Sequence, residues 1–125
     1  MKILLGDPRH NTVGAHSYFT PIGIGYIGSN ILRQFKKDNI ELKLCTNPKE
    51  IFDLLKNWKP DIVGISNYIW NSYLANLICK QAKKIKSNTL CILGGPEFPA
   101  GTGQRKIENT SLDKTYDKCL KYLID

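Results

Sequence analysis

The residues best equipped for chemistry lie close together near the start of the chain. Asp7, His10 and His16 fall within the stretch Gly6–Tyr26 (GDPRHNTVGAHSYFTPIGIGY), which holds both histidines of the sequence. A neutral imidazole can ligate a metal or move a proton near pH 7, and a nearby carboxylate can orient it. The stretch therefore reads as the floor of a ligand site. Its end carries a second motif, Gly23-Ile24-Gly25-Tyr26-Ile27-Gly28, which matches G-x-G-x-x-G. A dinucleotide fingerprint needs its glycines directly after the first strand, so that phosphate meets a helix N-terminus. Here seventeen residues separate Leu5 from Gly23, and Cys45, Thr46 and Asn47 stand where an acid should bind the ribose. An NAD- or FMN-binding oxidoreductase is thus an alternative reading rather than the leading one. The structural reading of these glycines is close approach of a helix to a strand or a flat ligand. Cysteines 45, 79, 91 and 119 show no C-x-x-C and no zinc spacing, and read as buried thiols in a reducing compartment.

Those residues need a scaffold, and the hydrophobic pattern supplies one. Lys2–Leu5 is a short apolar run stopped by Gly6-Asp7-Pro8, as in a buried parallel strand. Thr20-Pro21 reads as an N-cap followed by Pro at the first helical position, with Ile27, Ile31, Leu32 and Phe35 following at helical spacing. Ile40, Leu42 and Leu44 alternate with charges, the mark of a half-exposed edge strand. Asn47-Pro48-Lys49-Glu50 starts a second helix with Ile51, Leu54, Leu55 and Trp58 on one stripe. Asp61–Ser66 is continuously apolar and is expected to be central, covered on both faces. After an aromatic loop, Asn67–Asn71, a third helix turns Leu74, Leu77, Ile78, Ala82 and Ile85 inward. Thr89–Leu93 is a fourth strand ending in Gly94-Gly95-Pro96, and Leu112–Ile124 closes the chain as an amphipathic helix.

Strands alternating with helices imply βαβ units and a parallel sheet. The expected fold is α/β, a flavodoxin-like three-layer sandwich of about four strands in the order 2-1-3-4, as a single domain over residues 1–125. In such sheets ligands bind beyond the carboxyl ends of the strands, near the switch point. Gly6–Tyr26, Ser66–Asn71 and Gly94–Gly103 would gather there.

Composition narrows the partners. The net charge of +7 comes from scattered lysines at helix ends and outer faces, which reads as solvated surface rather than a nucleic-acid interface. No run approaches a membrane span, and the N-terminus lacks the apolar length of a signal peptide, so the expected location is the cytoplasm. An open edge at the fourth strand leaves self-association as a further reading, that of a ligand-free interaction module.

Pro21-Ile22-Gly23-Ile24-Gly25-Tyr26-Ile27-Gly28, Pro60–Ser66 and Leu93-Gly94-Gly95-Pro96-Glu97-Phe98-Pro99, in this order and spacing, resemble the N-terminal cobalamin-binding domain of radical S-adenosylmethionine enzymes. The resemblance runs from Met1 to about Pro99. It implies a flavodoxin-like domain that holds cobalamin beside a separate catalytic barrel. That barrel, with its iron–sulfur cluster and S-adenosylmethionine, has no counterpart in this sequence, which resembles a piece of a longer enzyme and carries no catalytic residues of its own. The implied cofactor contacts are Asp7, His10, Pro21, Gly23, Gly25, Ser66, Asn67, Tyr68, Trp70, Gly94, Gly95 and Pro96. Ser66 would bond the nucleotide tail, Gly94 and Gly95 would leave a slot for dimethylbenzimidazole, and Tyr68, Ile69 and Trp70 would press on the lower corrin face. Related domains carry D-x-H-x-x-G, whose histidine ligates cobalt. In Asp7-Pro8-Arg9-His10-Asn11-Thr12-Val13-Gly14 each gap is one residue longer, which leaves His10 as a departing candidate ligand.

Overall fold

The computed structural model describes residues 1–9 and 20–95. In chain order these form β1 (Lys2–Gly6), α1 (Ile22–Gln34), β2 (Glu41–Cys45), α2 (Pro48–Asn57), β3 (Ile62–Ser66), α3 (Ser72–Ile85) and β4 (Leu90–Gly94). Every strand pair is parallel, and the sheet order is β2-β1-β3-β4, as the sequence pattern requires. The closing helix expected at Leu112–Ile124 lies outside the described residues.

The layers follow from the crossovers. The chain steps one way from β1 to β2 and the other way from β2 to β3 and on to β4, so right-handed connections put α1 on one face and α2 and α3 on the other. Side-chain alternation along the strands divides the core accordingly. Leu4, Val63, Ile65 and Cys91 pack with Ile51, Leu55, Ala75, Ile78, Cys79 and Ala82 beneath α2 and α3. Ile3, Leu5 and Ile24 form a smaller cluster on the α1 face.

Local signals explain most boundaries. Asn47 caps α2 as its sequence predicts, its Oδ1 accepting from the Lys49 and Glu50 amides at 2.9 and 3.4 Å. The start of α1 differs. Pro21 has φ −75° and ψ 69°, and the Ile22 amide donates to the Thr20 carbonyl at 2.8 Å. That is an inverse γ-turn, so the helix begins at Ile22 and Thr20 provides no side-chain cap. Below the sheet, Asp61 accepts from the Lys2 amide at 2.7 Å and pairs with Lys86, and this contact holds its carboxyl below the usual value.

Burial departs from the simplest reading of the sequence pattern in three elements. In α1 the buried residues are Ile24 and Gly28, while Ile27, Leu32 and Phe35 are exposed. The helix is apolar around most of its circumference, and the side that lacks a Cβ approaches the sheet most closely. A Cβ on Gly28 would meet Leu42 Cδ2 at 2.9 Å. In α3 the buried stripe is Ala75, Ile78, Cys79 and Ala82, with Leu77 exposed, because small residues fit closest to β3 and β4. Finally, β3 is central but covered on one face only among the described residues. Val63 and Ile65 are buried, whereas Ile62 and Gly64 line an open groove.

Candidate functional site

That groove is a candidate ligand site. Its volume is about 700 Å³, and it runs between α1 and the sheet from Met1 and Asp38 at one end to Tyr68, Gly94 and Gly95 at the other. α1 sits over β1 and β2, so the face of β3 and β4 beside it is uncovered among the described residues. Ile3, Leu5, Ile62 and Ile92 make the floor, and Ile24, Ile27, Ile31 and Phe35 make the wall. Apolar walls with a few polar groups at one mouth are typical of ligand pockets of this size.

The mouth lies at the carboxyl ends of β1, β3 and β4, where the topology places ligands. Of the residues expected there, Gly23, Ser66, Tyr68, Gly94 and Gly95 line the groove. Asp7 stands one bond behind: its Oδ1 accepts from Ser66 Oγ at 2.5 Å and its Oδ2 from Arg9 Nη2 at 2.9 Å. Trp70 stacks on Tyr68 with ring centres 4.5 Å apart and planes 8° off parallel, while Trp70 and Ile69 remain exposed. Pro21 and Gly25 lie at the start of α1 but do not line the groove. His10 and Pro96 lie outside the described residues, and so does the expected role of His10 as a metal ligand. Among the described residues no three metal-binding side chains cluster.

The two glycines at the end of β4 serve opposite ends. A Cβ on Gly94 would meet nothing within 4 Å, so the groove mouth stays open for want of a side chain. Gly95 has φ +133°, and a Cβ there would come within 2.6 Å of the Asn67 carbonyl oxygen. The second glycine is needed by the backbone. Asn67 itself is buried, its amide donates to the Gly94 carbonyl at 2.6 Å, and its Oδ1 has no hydrogen-bond partner among the described residues. A buried acceptor left unpaired carries a cost that a donor from a bound molecule would relieve.

Sequence reasoning missed Asn71. It is 1% exposed, its Oδ1 accepts from the Tyr68 amide at 2.7 Å, and its Nδ2 donates to the Pro8 carbonyl at 3.2 Å. Its side chain therefore fastens the β3–α3 loop to the β1 loop instead of capping α3. An Asn immediately before a helix suggests a cap, and nothing in its position signals the longer-range contact.

The glycine motif Gly23–Gly28 falls wholly inside α1, not at a strand–helix turn. Although Gly23 falls in the first turn of α1, the motif does not follow directly on β1 as a dinucleotide fingerprint must, and Gly28 serves helix–strand contact. The thiols Cys45, Cys79 and Cys91 are all buried and unbridged, as expected. Burial pushes the Cys45 thiol up to about 11, and the hydrogen bond with Cys91, together with burial, raises Cys79. None of the three presents a thiolate to a ligand.

Comparison with known proteins agrees with this geometry. The chain is 31% identical over 100 residues to an uncharacterized methyltransferase of Pyrococcus horikoshii, an alignment covering 77% of this chain and 22% of that protein. The chain thus spans about a fifth of the relative's length. Residues 11–107 match the B12 binding domain family, a span that takes in α1, all of β2 to β4 and the groove mouth between them. The chain belongs to the B12-binding domain family.

Proposed function

We propose that this domain holds cobalamin at the carboxyl end of its sheet, as the corrinoid-carrying part of a radical S-adenosylmethionine enzyme. The observation that carries the reading is the apolar groove of about 700 Å³ whose mouth is kept open at Gly94. The residues present fit the group. The groove offers an apolar slot for a flat heterocycle, Ser66 places a hydroxyl at its mouth, and Asn67 Oδ1 awaits a donor.

Ser66, Gly94 and Gly95 would hold the nucleotide tail, and the Tyr68–Trp70 stack, with Trp70 and Ile69 exposed, would meet the corrin and exclude water from it. Asp7 keeps the Ser66 hydroxyl in one orientation by accepting its proton, which leaves the Ser66 oxygen lone pairs facing outward as acceptors. Bound cobalamin supplies a cobalt centre able to carry an alkyl group. The domain contributes binding, orientation and shielding, and the chemistry belongs to a catalytic domain with its own iron–sulfur cluster and S-adenosylmethionine. The methyltransferase name of the Pyrococcus relative supports methyl transfer as the reaction of such an enzyme.

Gel filtration of the full chain after incubation with hydroxocobalamin tests the binding step. Visible absorbance is expected to travel with the protein peak. Colour that elutes wholly in the small-molecule volume would overturn the reading.

A further inference from the structure

The mouth of the groove and its floor differ in chemistry. Polar side chains stand only at the two ends among the described residues: Ser66 and Tyr68 at the mouth, Asp38 near Met1 at the other. The Met1 amino group at that far end already donates to the Asn39 carbonyl at 2.7 Å. Between the ends the lining is hydrocarbon. Alternation puts Ile62, Gly64 and Ser66 of β3 on the groove face, and the register sets Gly64 between Leu5 of β1 and Ile92 of β4. Gly64 brings no side chain, and the end of Leu5 leans across it, since a Cβ there would meet Leu5 Cδ2 at 2.8 Å. A flat ring entering past Gly94 reaches Gly64 and Ile92 after two strand residues, about 7 Å.

The backbone adds little for a ligand to bond. β1 and β3 are each paired on both sides, so the ladders occupy their amides and carbonyls. β4 is an edge among the described residues, but its outer groups point along the sheet rather than up into the groove. The Gly94 carbonyl accepts from the Asn67 amide.

We propose that this slot makes the domain selective for the lower base of its corrinoid, taking an apolar benzimidazole and rejecting a purine. The inference rests on the cobalamin reading above and names the ligand class within it. The two bases are alike in size and flatness, so shape does not separate them. A purine carries further ring nitrogens and an exocyclic amine where dimethylbenzimidazole carries methyl groups. Beyond Ser66 those polar groups would leave water and find no partner, a loss that the methyl groups do not incur. Ser66 can meet a polar group of the base only at the mouth, and only as an acceptor, because its proton is given to Asp7. Leu5, Ile62 and Ile92 are then specificity-determining residues, distinct from the glycine that opens the slot.

Equilibrium dialysis of the wild-type chain against three hydroxo-corrinoids, read by visible absorbance, tests the proposal. The three are cobalamin, its analogue with adenine as lower base, and cobinamide, which has no base. Cobalamin is expected to bind about tenfold tighter or more than the adenine analogue, and the analogue no tighter than cobinamide. Ile92→Asn sets an amide beside Gly64 at a half-exposed position, and there the preference for cobalamin over the analogue should fall below about threefold. Equal binding of cobalamin and the analogue, both tighter than cobinamide, would overturn the selectivity and leave the cobalamin reading standing. Cobinamide binding as tightly as cobalamin would also overturn it, because the base would then lie outside the slot. An unchanged preference in Ile92→Asn would do the same by placing the selectivity elsewhere. Retention of none of the three would overturn the cobalamin reading, and this inference with it.

Discussion

Gly95→Ala and Gly94→Ala make a paired test of the site geometry, because adjacent glycines are required for different reasons. At Gly95 the backbone has φ +133°, a region that L-residues scarcely enter, and the new Cβ would lie 2.6 Å from the Asn67 carbonyl oxygen. Backbone strain of this kind costs about 1–3 kcal/mol. Replacing a glycine recovers about 0.4–1 kcal/mol from the unfolded chain. The obstructing atoms belong to the Asn67 backbone, which is fixed to Gly94 by its own amide and cannot swing aside like the end of a side chain. The net expectation is a loss of about 2 kcal/mol, or about 8 °C in Tm for a domain of this size. At Gly94 the new Cβ meets open space, so stability should change by less than about 0.5 kcal/mol. Urea unfolding followed by far-ultraviolet circular dichroism measures both. Equal stability of Gly95→Ala and the wild type, or an equal loss in both variants, would refute the assignment of these two roles.

Other expectations follow from the packing and the charges. Leu55→Ala, in the larger cluster, should lose about 3–4 kcal/mol, whereas Ile24→Ala, beside the open groove, should lose about 2 kcal/mol, both read from urea midpoints. Asn71→Ala removes the acceptor for the Tyr68 amide and the donor to Pro8, and should cost about 2 kcal/mol while speeding hydrogen exchange at Tyr68. Asp61 is depressed by Lys86, so its contribution is present above the unfolded carboxyl value of about 3.9 and is lost as pH falls through the lower folded value. Because its side chain is 42% exposed, Asp61→Asn should cost only about 0.5 kcal/mol at pH 7, a gap that closes as pH falls through the lowered folded value.

The sheet order was legible because it rests on strong local patterns. Four apolar runs separated by helical patterns, with one half-exposed run second, leave few topologies once crossovers are right-handed. In that order the carboxyl ends of β1, β3 and β4 share one end of the sheet, and Ser66, Tyr68, Gly94 and Gly95 line one groove there. The facing of α1 was not legible. Ile22, Ile24, Ile27, Ile31, Leu32 and Phe35 leave it with more than one apolar side, and periodicity alone cannot choose between them. The choice is made by Gly28, which lets Leu42, Leu44 and Leu5 approach. Asn71 escaped notice because its contact with Pro8 spans 63 residues, whereas local spacing speaks only to its helix. The two β4 glycines looked alike in sequence, and only backbone geometry separates the one that opens the groove from the one that turns the chain.

The central claim is that the groove mouth beside Gly94 receives the cobalamin tail. A visible-spectrum titration of hydroxocobalamin into the wild-type chain and into Gly94→Val tests it most directly. The Val side chain enters the groove on the same side as Ile92, where a Cβ meets no neighbour, so the fold should stand. Saturable band shifts are expected for the wild type, with affinity at least tenfold weaker in Gly94→Val, about 1.4 kcal/mol or more. Equal affinity in the two proteins, or no saturable shift with the wild type, would contradict the account.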